Sequence, residues 1–348
     1  MSKHIAYLRR YRDPHGSLAV LGPACRRAGN VQLVRVPMHA VQPGRPGVLG
    51  RANVWLGKLL GHLRLIPKAF ASGGRTLLVR EFLTVPLFLI SPAIWLRRNS
   101  LWFMCQHNVG LAAKRPVHRW MLAVLERAGF RFVVGESLEG WHPVSSQPRP
   151  ASVVAMPWPM PDVTRRSPAR DLATQTVVVG FVGNFRAEKS PRWALDEVQR
   201  AREAGRFVPP NQLLVGTADK AFLAQWSERA VVIDTTTRED YLRALESCDV
   251  VVLPYDESSY SYRTSGVLGE AVAMGCMVVT PDLPVLRDQV MQPVPVGVCY
   301  ASRADLVDCV EQAVALAKLP GRAAAVEAHR AYRSLDAMTR AIRQMAAS

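Results

Sequence analysis

No stretch of this sequence reaches the roughly 18 apolar residues needed to cross a bilayer. The longest apolar run, Phe82 to Leu96, spans 15 residues and is interrupted by Pro86 and Pro92. The first residues, MSKHIAYLRRYRD, lack an apolar h-region, so no secretory leader is expected. The six cysteines, Cys25, Cys105, Cys248, Cys276, Cys299 and Cys309, form no C-x-x-C pair. That argues against a zinc ribbon or a disulfide scaffold and for a reducing cytoplasm. The spacing of a P-loop is missing as well.

Acidic residues are scarce in one half only. Residues 1–150 hold 22 Lys and Arg against 5 Asp and Glu, a charge of +17, whereas residues 151–348 balance at −1. An anionic partner is therefore expected for the first half, and nucleic acid and acidic lipid headgroups both fit the charge. No basic stripe interleaved with aromatics and no nucleic-acid-binding module is present, which favours a membrane surface. The segment Arg51 to Ile66 adds to this. Trp55, Leu59, His62, Leu63 and Ile66 share one arc, with Lys58 and Arg64 off it. It reads equally as a basic amphipathic helix on a membrane or as an internal helix packed on its own sheet.

What the sequence has is a repeated alternation of short apolar runs and helical stretches. Its 348 residues are 49% hydrophobic, enough for two packed domains at roughly 150 residues each. Strands are expected at His4–Leu8, Val31–Val36, Thr76–Arg80, Leu101–Gln106 and Arg131–Gly135, with helices at Leu18–Ala28 and Val117–Ala128. Six prolines from Pro143 to Pro161 mark a linker. The pattern then restarts with strands at Thr176–Val182, Gln212–Gly216, Ala230–Asp234, Val250–Pro254 and Met277–Thr280. A last helix is expected from Arg322 to Met345, with Tyr332, Leu335, Met338, Ile342 and Met345 on one face. The expected architecture is α/β, two doubly wound Rossmann-like domains: residues 1–160, residues 161–325, and a terminal helix, 326–348, able to pack back on the first. In such sheets ligands sit beyond the carboxyl ends of the strands.

A strand end and a helix start carry suitable chemistry. Gly183-Asn184-Phe185-Arg186-Ala187-Glu188-Lys189-Ser190 follows a buried strand, and two cations three residues apart can converge on a phosphate or stand solvated on a turn. Tyr262-Arg263-Thr264-Ser265-Gly266-Val267-Leu268-Gly269-Glu270 opens a helix whose free N–H groups suit an anion. Glu270, about one turn in, suits a pair of sugar hydroxyls or stands exposed on a capped helix.

In order and spacing these segments resemble the donor domain of GT-B glycosyltransferases, closest to the retaining family 4. That family's pattern runs v-G-R-l-x-x-e-K-G, then a-D-v-x-v-x-P-S, then E-x-F-G-x-x-x-x-E-A-m-A-x-G-x-P-V-V. The chain answers with Val182 to Ser190, with Cys248-Asp249-Val250-Val251-Val252-Leu253-Pro254-Tyr255, and with Tyr262 through Glu270-Ala271-Val272-Ala273-Met274-Gly275-Cys276-Met277-Val278-Val279. The resemblance implies a GT-B fold, two such domains facing across a cleft. It implies that Lys189 contacts the donor diphosphate, that Glu270 holds the ribose, and that Gly266 and Val267 give backbone phosphate contacts. Gly183, Tyr255, Tyr262, Arg263 and Ser265 complete the donor side. Asn184 stands where the family has Arg, with Arg186 able to supply the charge, and Tyr262 stands where the family has its first Glu. In the first half, Gly16 matches the acceptor-side loop, and His107, after the Leu101–Gln106 strand, matches a histidine beside the donor sugar. Without the resemblance a lone histidine is more often structural than catalytic.

The implied activity is sugar transfer, with retention in the family's manner, from a nucleotide-diphosphate sugar to a saccharide or lipid-linked acceptor, without metal or cofactor and without nucleic acid as partner. The implied setting is bacterial polysaccharide or glycoconjugate assembly, in the cytoplasm on the inner face of the cytoplasmic membrane. A GT-B-fold epimerase or phosphorylase shares the two-domain pattern, although no cofactor-lysine motif for a phosphorylase is visible. A non-enzymatic nucleic-acid-binding protein would use the basic half directly.

Overall fold

The computed structural model describes residues 17–34, 48–80, 82–105, 108–146, 151–160, 176–186, 189, 191–207 and 211–347. The expected strand His4–Leu8, Gly16 and His107 lie outside them. The chain divides into two units, Met1–Pro159 with Leu335–Ser348, and Met160–Ser334.

The first unit carries α1 (Ser17–Ala28), β1 (Val31–Val34), α2 (Val48–Leu63), α3 (Leu65–Ala71), β2 (Thr76–Val79), α4 (Thr84–Ile94), a 3₁₀ turn Trp95–Ser100, β3 (Leu101–Met104), α5 (Asn108–Lys114), α6 (Pro116–Arg127), β4 (Arg131–Gly135) and β5 (Val153–Met156). The five strands are parallel in the order β1-β2-β3-β4-β5. Alternate residues of the strands serve the two faces, as the period-two pleat requires. Leu78, Trp102, Met104 and Val133 pack with Leu21, Ala24 and Cys25 of α1 and with Met338, Ile342 and Met345. Phe103 and Phe132 turn to the other face, where they meet Phe82, Phe130 and Trp141.

The second unit carries β6 (Val178–Val182), α7 (Pro191–Glu203), β7 (Gln212–Thr217), α8 (Lys220–Trp226), β8 (Val231–Asp234), α9 (Arg238–Glu246), β9 (Val250–Val252), α10 (Glu257–Tyr260), α11 (Gly266–Ala273), β10 (Met277–Pro281), α12 (Pro284–Met291), β11 (Gly297–Tyr300), α13 (Leu306–Lys318) and α14 (Arg322–Tyr332). All six strands are parallel in the order β11-β10-β9-β6-β7-β8. The winding therefore reverses between β6 and β9, and the carboxyl ends of these two strands flank the switch point. Every residue of β6, β9 and β10 is buried, as parallel strands covered on both faces must be. The central strand tolerates no side chain at Gly180, since a Cβ there would come within 2.1 Å of Cys248 Sγ. Asp249 is fully buried between two elements: its Oδ2 accepts from the Val178 N–H at 2.9 Å, and Oδ1 lies 3.6 Å from Arg322 of α14.

Two expectations need correction. The helix expected over Arg322–Met345 is two helices, α14 and α15 (Leu335–Ala347), one in each unit. The break falls at Arg333, whose buried guanidinium donates to the carbonyl of Gln292 at 2.8 Å and to that of Gln289 at 3.3 Å. The proline-rich stretch is not all linker, because it contains β5, and the unit boundary lies at its end. The Arg51–Ile66 segment, open between a membrane helix and an internal one, forms α2 and the start of α3 and packs inward at His62. Its ring donates Nδ1–H to the Lys58 carbonyl at 2.8 Å and accepts the Leu83 N–H at 2.9 Å. Burial pushes the pKa of His62 down, which favours this neutral tautomer. Leu59 and Ile66 are half-buried, and the face left in solvent is Leu56, Leu60 and Leu63.

Candidate functional site

The site is assembled at the switch point from the residues that leave β6 and β9 and from the start of α11. Gly183, directly after β6, has φ of +141°, a conformation that L side chains rarely adopt. A Cβ on it would sit 3.6 Å from Lys189 Nζ, so the lysine ammonium reaches back over the strand end. Lys189 also lies over the Tyr255 ring, 5.8 Å from its centre, within range of a cation–π attraction. Phe181, Phe185, Lys189, Leu253 and Tyr255 line a small recess here.

Tyr255 joins this lysine to the helix start. Its hydroxyl shares a 2.8 Å hydrogen bond with Ser265 Oγ, and burial pushes its pKa up, which keeps the phenol protonated. Its ring stacks on Tyr260 with centres 3.9 Å apart and planes 8° apart, and the Arg263 guanidinium covers Tyr260 at 4.8 Å. Two stacked tyrosines are thus bracketed by two cations.

Ser265 is the N-cap of α11. Its Oγ accepts from the Leu268 N–H at 3.1 Å, which satisfies one of the helix's orphan donors. Gly266 and Val267 supply the first two amides of the helix, which no carbonyl of the same helix can reach. With the helix dipole they form a positive end beside Tyr255 and Lys189. Gln289 of α12 fixes this turn from behind, accepting the Ser265 N–H at 2.9 Å and donating to the Ser265 carbonyl at 2.8 Å.

Glu270 is buried rather than exposed. Arg238 Nη2 lies 2.7 Å from its Oε1, and the Tyr241 hydroxyl donates to its Oε2 at 2.5 Å. Both partners come from α9, whose N-cap Thr237 accepts the Asp240 N–H. Each carboxylate oxygen is engaged once and retains acceptor capacity. Burial first, and then the neighbouring Glu270 charge, pushes the Tyr241 pKa well up, so it serves as a donor.

Of the residues singled out in the sequence, Gly183, Lys189, Tyr255, Ser265 and the α11 start come together. Arg263 joins them through the tyrosine stack. The Arg186 side chain is exposed, while its carbonyl accepts the Lys189 N–H at 2.9 Å. Asn184 is exposed and Tyr262 half-exposed. Arg238, Tyr241 and Gln289 carry no signature in the sequence, where no short-range pattern ties them to the motif residues. Among the described residues no group of three His, Cys, Asp or Glu side chains is arranged to hold a metal, and no helix is long and apolar enough to cross a membrane.

Residues 176–316 match the family described as Glycosyl transferases group 1. Among curated proteins none matches the chain. Solved structures do. WaaG, a glycosyltransferase involved in lipopolysaccharide biosynthesis, superposes with a TM-score of 0.53 at 14% identity over 94% of this chain and 94% of its own. HepE from Anabaena, solved in complex with UDP, gives 0.56 at 12% identity over 96% of each chain. A UDP-forming α,α-trehalose-phosphate synthase from Burkholderia vietnamiensis gives 0.57 at 12% identity, covering 98% of this chain and 87% of that one. At such identities the likeness is one of fold. The chain has the GT-B fold of glycosyltransferases, and its residues 176–316 match the group 1 glycosyl transferase family.

Proposed function

We propose that the protein transfers a sugar from a nucleotide-diphosphate sugar, held by the second unit, to a saccharide or lipid-linked acceptor held by the first. The observation that carries this reading is the convergence of Lys189 and the Ser265-capped start of α11 on Tyr255. In the transfer the bond between the anomeric carbon and the diphosphate oxygen breaks, and an acceptor hydroxyl oxygen bonds to that carbon and gives up its proton. The departing diphosphate gains negative charge. Fixed positive groups at that point stabilise the transition state more than the ground state. Lys189 and the Gly266 and Val267 amides take this role in the proposal, with Arg186 as the second cation. No metal ion is required for it. Glu270, oriented by Arg238 and Tyr241, accepts the ribose hydroxyls. His107 serves beside the donor sugar by the resemblance of its segment, and Tyr262 replaces a carboxylate there. Retention of the anomeric configuration is the outcome expected of the family.

The acceptor belongs to bacterial polysaccharide or glycoconjugate assembly in this reading, and the basic first unit works at an anionic membrane surface on the cytoplasmic side. The UDP complex of HepE and the lipopolysaccharide role of WaaG support the donor and acceptor classes respectively. A thermal-shift screen of UDP- and GDP-sugars tests it, because a ligand of the folded state raises the midpoint by mass action. One nucleotide sugar should stabilise the chain, and His107→Ala should keep that shift while losing most transfer. A chain indifferent to all of them would end the proposal.

A further inference from the structure

The helices of the first unit leave large apolar side chains in solvent along one connected face. On α4, Leu87, Ile90 and Ile94 turn inward, while Leu89 stands 53% exposed beside the exposed Pro92 and Ala93. Leu96, 77% exposed, continues this face into the next turn. The Trp120 ring, 55% exposed, lies 5.2 Å from that of Phe88 on the same helix, and Val117 is one turn before it on α6. At the other end the Arg98 guanidinium covers the half-exposed Trp95 at 3.9 Å. Arg97 donates to the Ala69 carbonyl and to Ser72 Oγ, which brings the exposed Phe70 to the same edge. Single exposed leucines are ordinary on a protein surface, but a connected face with two tryptophans marks a site of interaction.

The charge around this face has one sign. Arg64, Lys68, Lys114, Arg115 and Arg119 are all exposed. Between Asp13 and Glu126 the sequence contains a single acidic residue, Glu81, so carboxylates to balance these cations are scarce.

We propose that this face, formed by α4, the Trp95–Ser100 turn and the start of α6, is a docking surface for an anionic lipid bilayer. The inference rests on the membrane partner proposed above and names the face that meets it, which is not the Arg51–Ile66 arc that the sequence suggests. Exposed tryptophan and leucine enter the interfacial zone of a bilayer, and the cations beside them meet acidic headgroups. A nucleic acid would engage the cations and leave Leu89 and Leu96 without a role. A second copy of the chain would set like charges against each other.

The test is co-sedimentation of the full chain with vesicles of phosphatidylcholine alone or mixed with phosphatidylglycerol, at low and high salt. The wild-type chain should bind only the acidic vesicles and release them at high salt, as screened surface charge requires. L96S/W120S and R115E/R119E should each weaken binding at least tenfold with the unfolding midpoint unchanged. Leu319→Ser, at a comparably exposed leucine of the second unit, should bind as wild type. No binding by the wild-type chain at low salt would remove the membrane partner and this face together. Full binding by L96S/W120S would keep the membrane partner and overturn the face. Preference for a short single-stranded RNA over the vesicles, indifferent to L96S/W120S, would overturn it as well. Nucleotide binding by the second unit is measured separately, so failure here leaves the transfer reading standing.

Discussion

Gln289 holds Ser265 by both of its backbone polar groups, accepting its N–H at 2.9 Å and donating to its carbonyl at 2.8 Å. Both residues are buried, so no solvent replaces these bonds when one partner is lost. Gln289→Ala should therefore cost on the order of 2 kcal/mol, the penalty of stranding buried polar groups. It should also weaken nucleoside-diphosphate binding, because the first turn of α11 loses its anchor. Urea unfolding reads the first effect and calorimetric titration the second. A folded Gln289→Ala protein with undiminished nucleotide affinity would detach the start of α11 from the donor site.

Glu270 is predicted to discriminate ribose from deoxyribose. Glu270→Gln keeps an acceptor for Tyr241 but loses the ion pair with Arg238 and one acceptor oxygen. Affinity for a ribonucleoside diphosphate should fall about tenfold or more, the order of one charged hydrogen bond. Affinity for the 2′-deoxy analogue should change far less. Parallel losses for both nucleotides would make Glu270 a structural residue of the α9–α11 contact. Arg238→Ala should shift the same ratio in the same direction without touching the ligand.

The parts of the fold legible in the sequence are those where local pattern and burial agree. β6, β9 and β10 read as apolar runs because both faces of each strand are covered. β5 is hidden among prolines, and β11 is an edge strand whose middle residues, Val298 and Cys299, are only half-buried. The split between α14 and α15 has no glycine or proline to announce it, since Arg333 is pinned by carbonyls more than forty positions earlier in the chain. The donor site shows the same division. Lys189, Ser265 and Glu270 are visible because a helix start and a strand end have sequence signatures. Arg238, Tyr241 and Gln289, which orient them, meet them only through the packing of α9 and α12 on α11.

His329 links stability to pH. Its Nε2–H donates to the Val294 carbonyl at 2.8 Å, and Nδ1 faces Arg333 Nη1 at 3.1 Å, an arrangement that fits a neutral ring. Burial first, and then the Arg333 charge, lowers its pKa from 6.5 to about 4. Between those values the unfolded chain binds the proton and the folded chain does not, so stability falls as pH drops through that window. Thermal midpoints of wild type and His329→Gln should converge on going from pH 7 to pH 4. A constant gap would mean that His329 is not the titrating group.

The central claim is that Lys189 and the start of α11 hold the diphosphate of a nucleotide sugar. Isothermal titration of the full chain and of Lys189→Ala with UDP and GDP tests it most directly. The account predicts saturable binding of one of them by the wild-type chain, without added metal. It predicts a loss of about 2 kcal/mol in Lys189→Ala, as for a missing charge-assisted phosphate contact. Binding of equal strength in a folded Lys189→Ala protein, or no binding of either nucleotide by the wild-type chain, would contradict it.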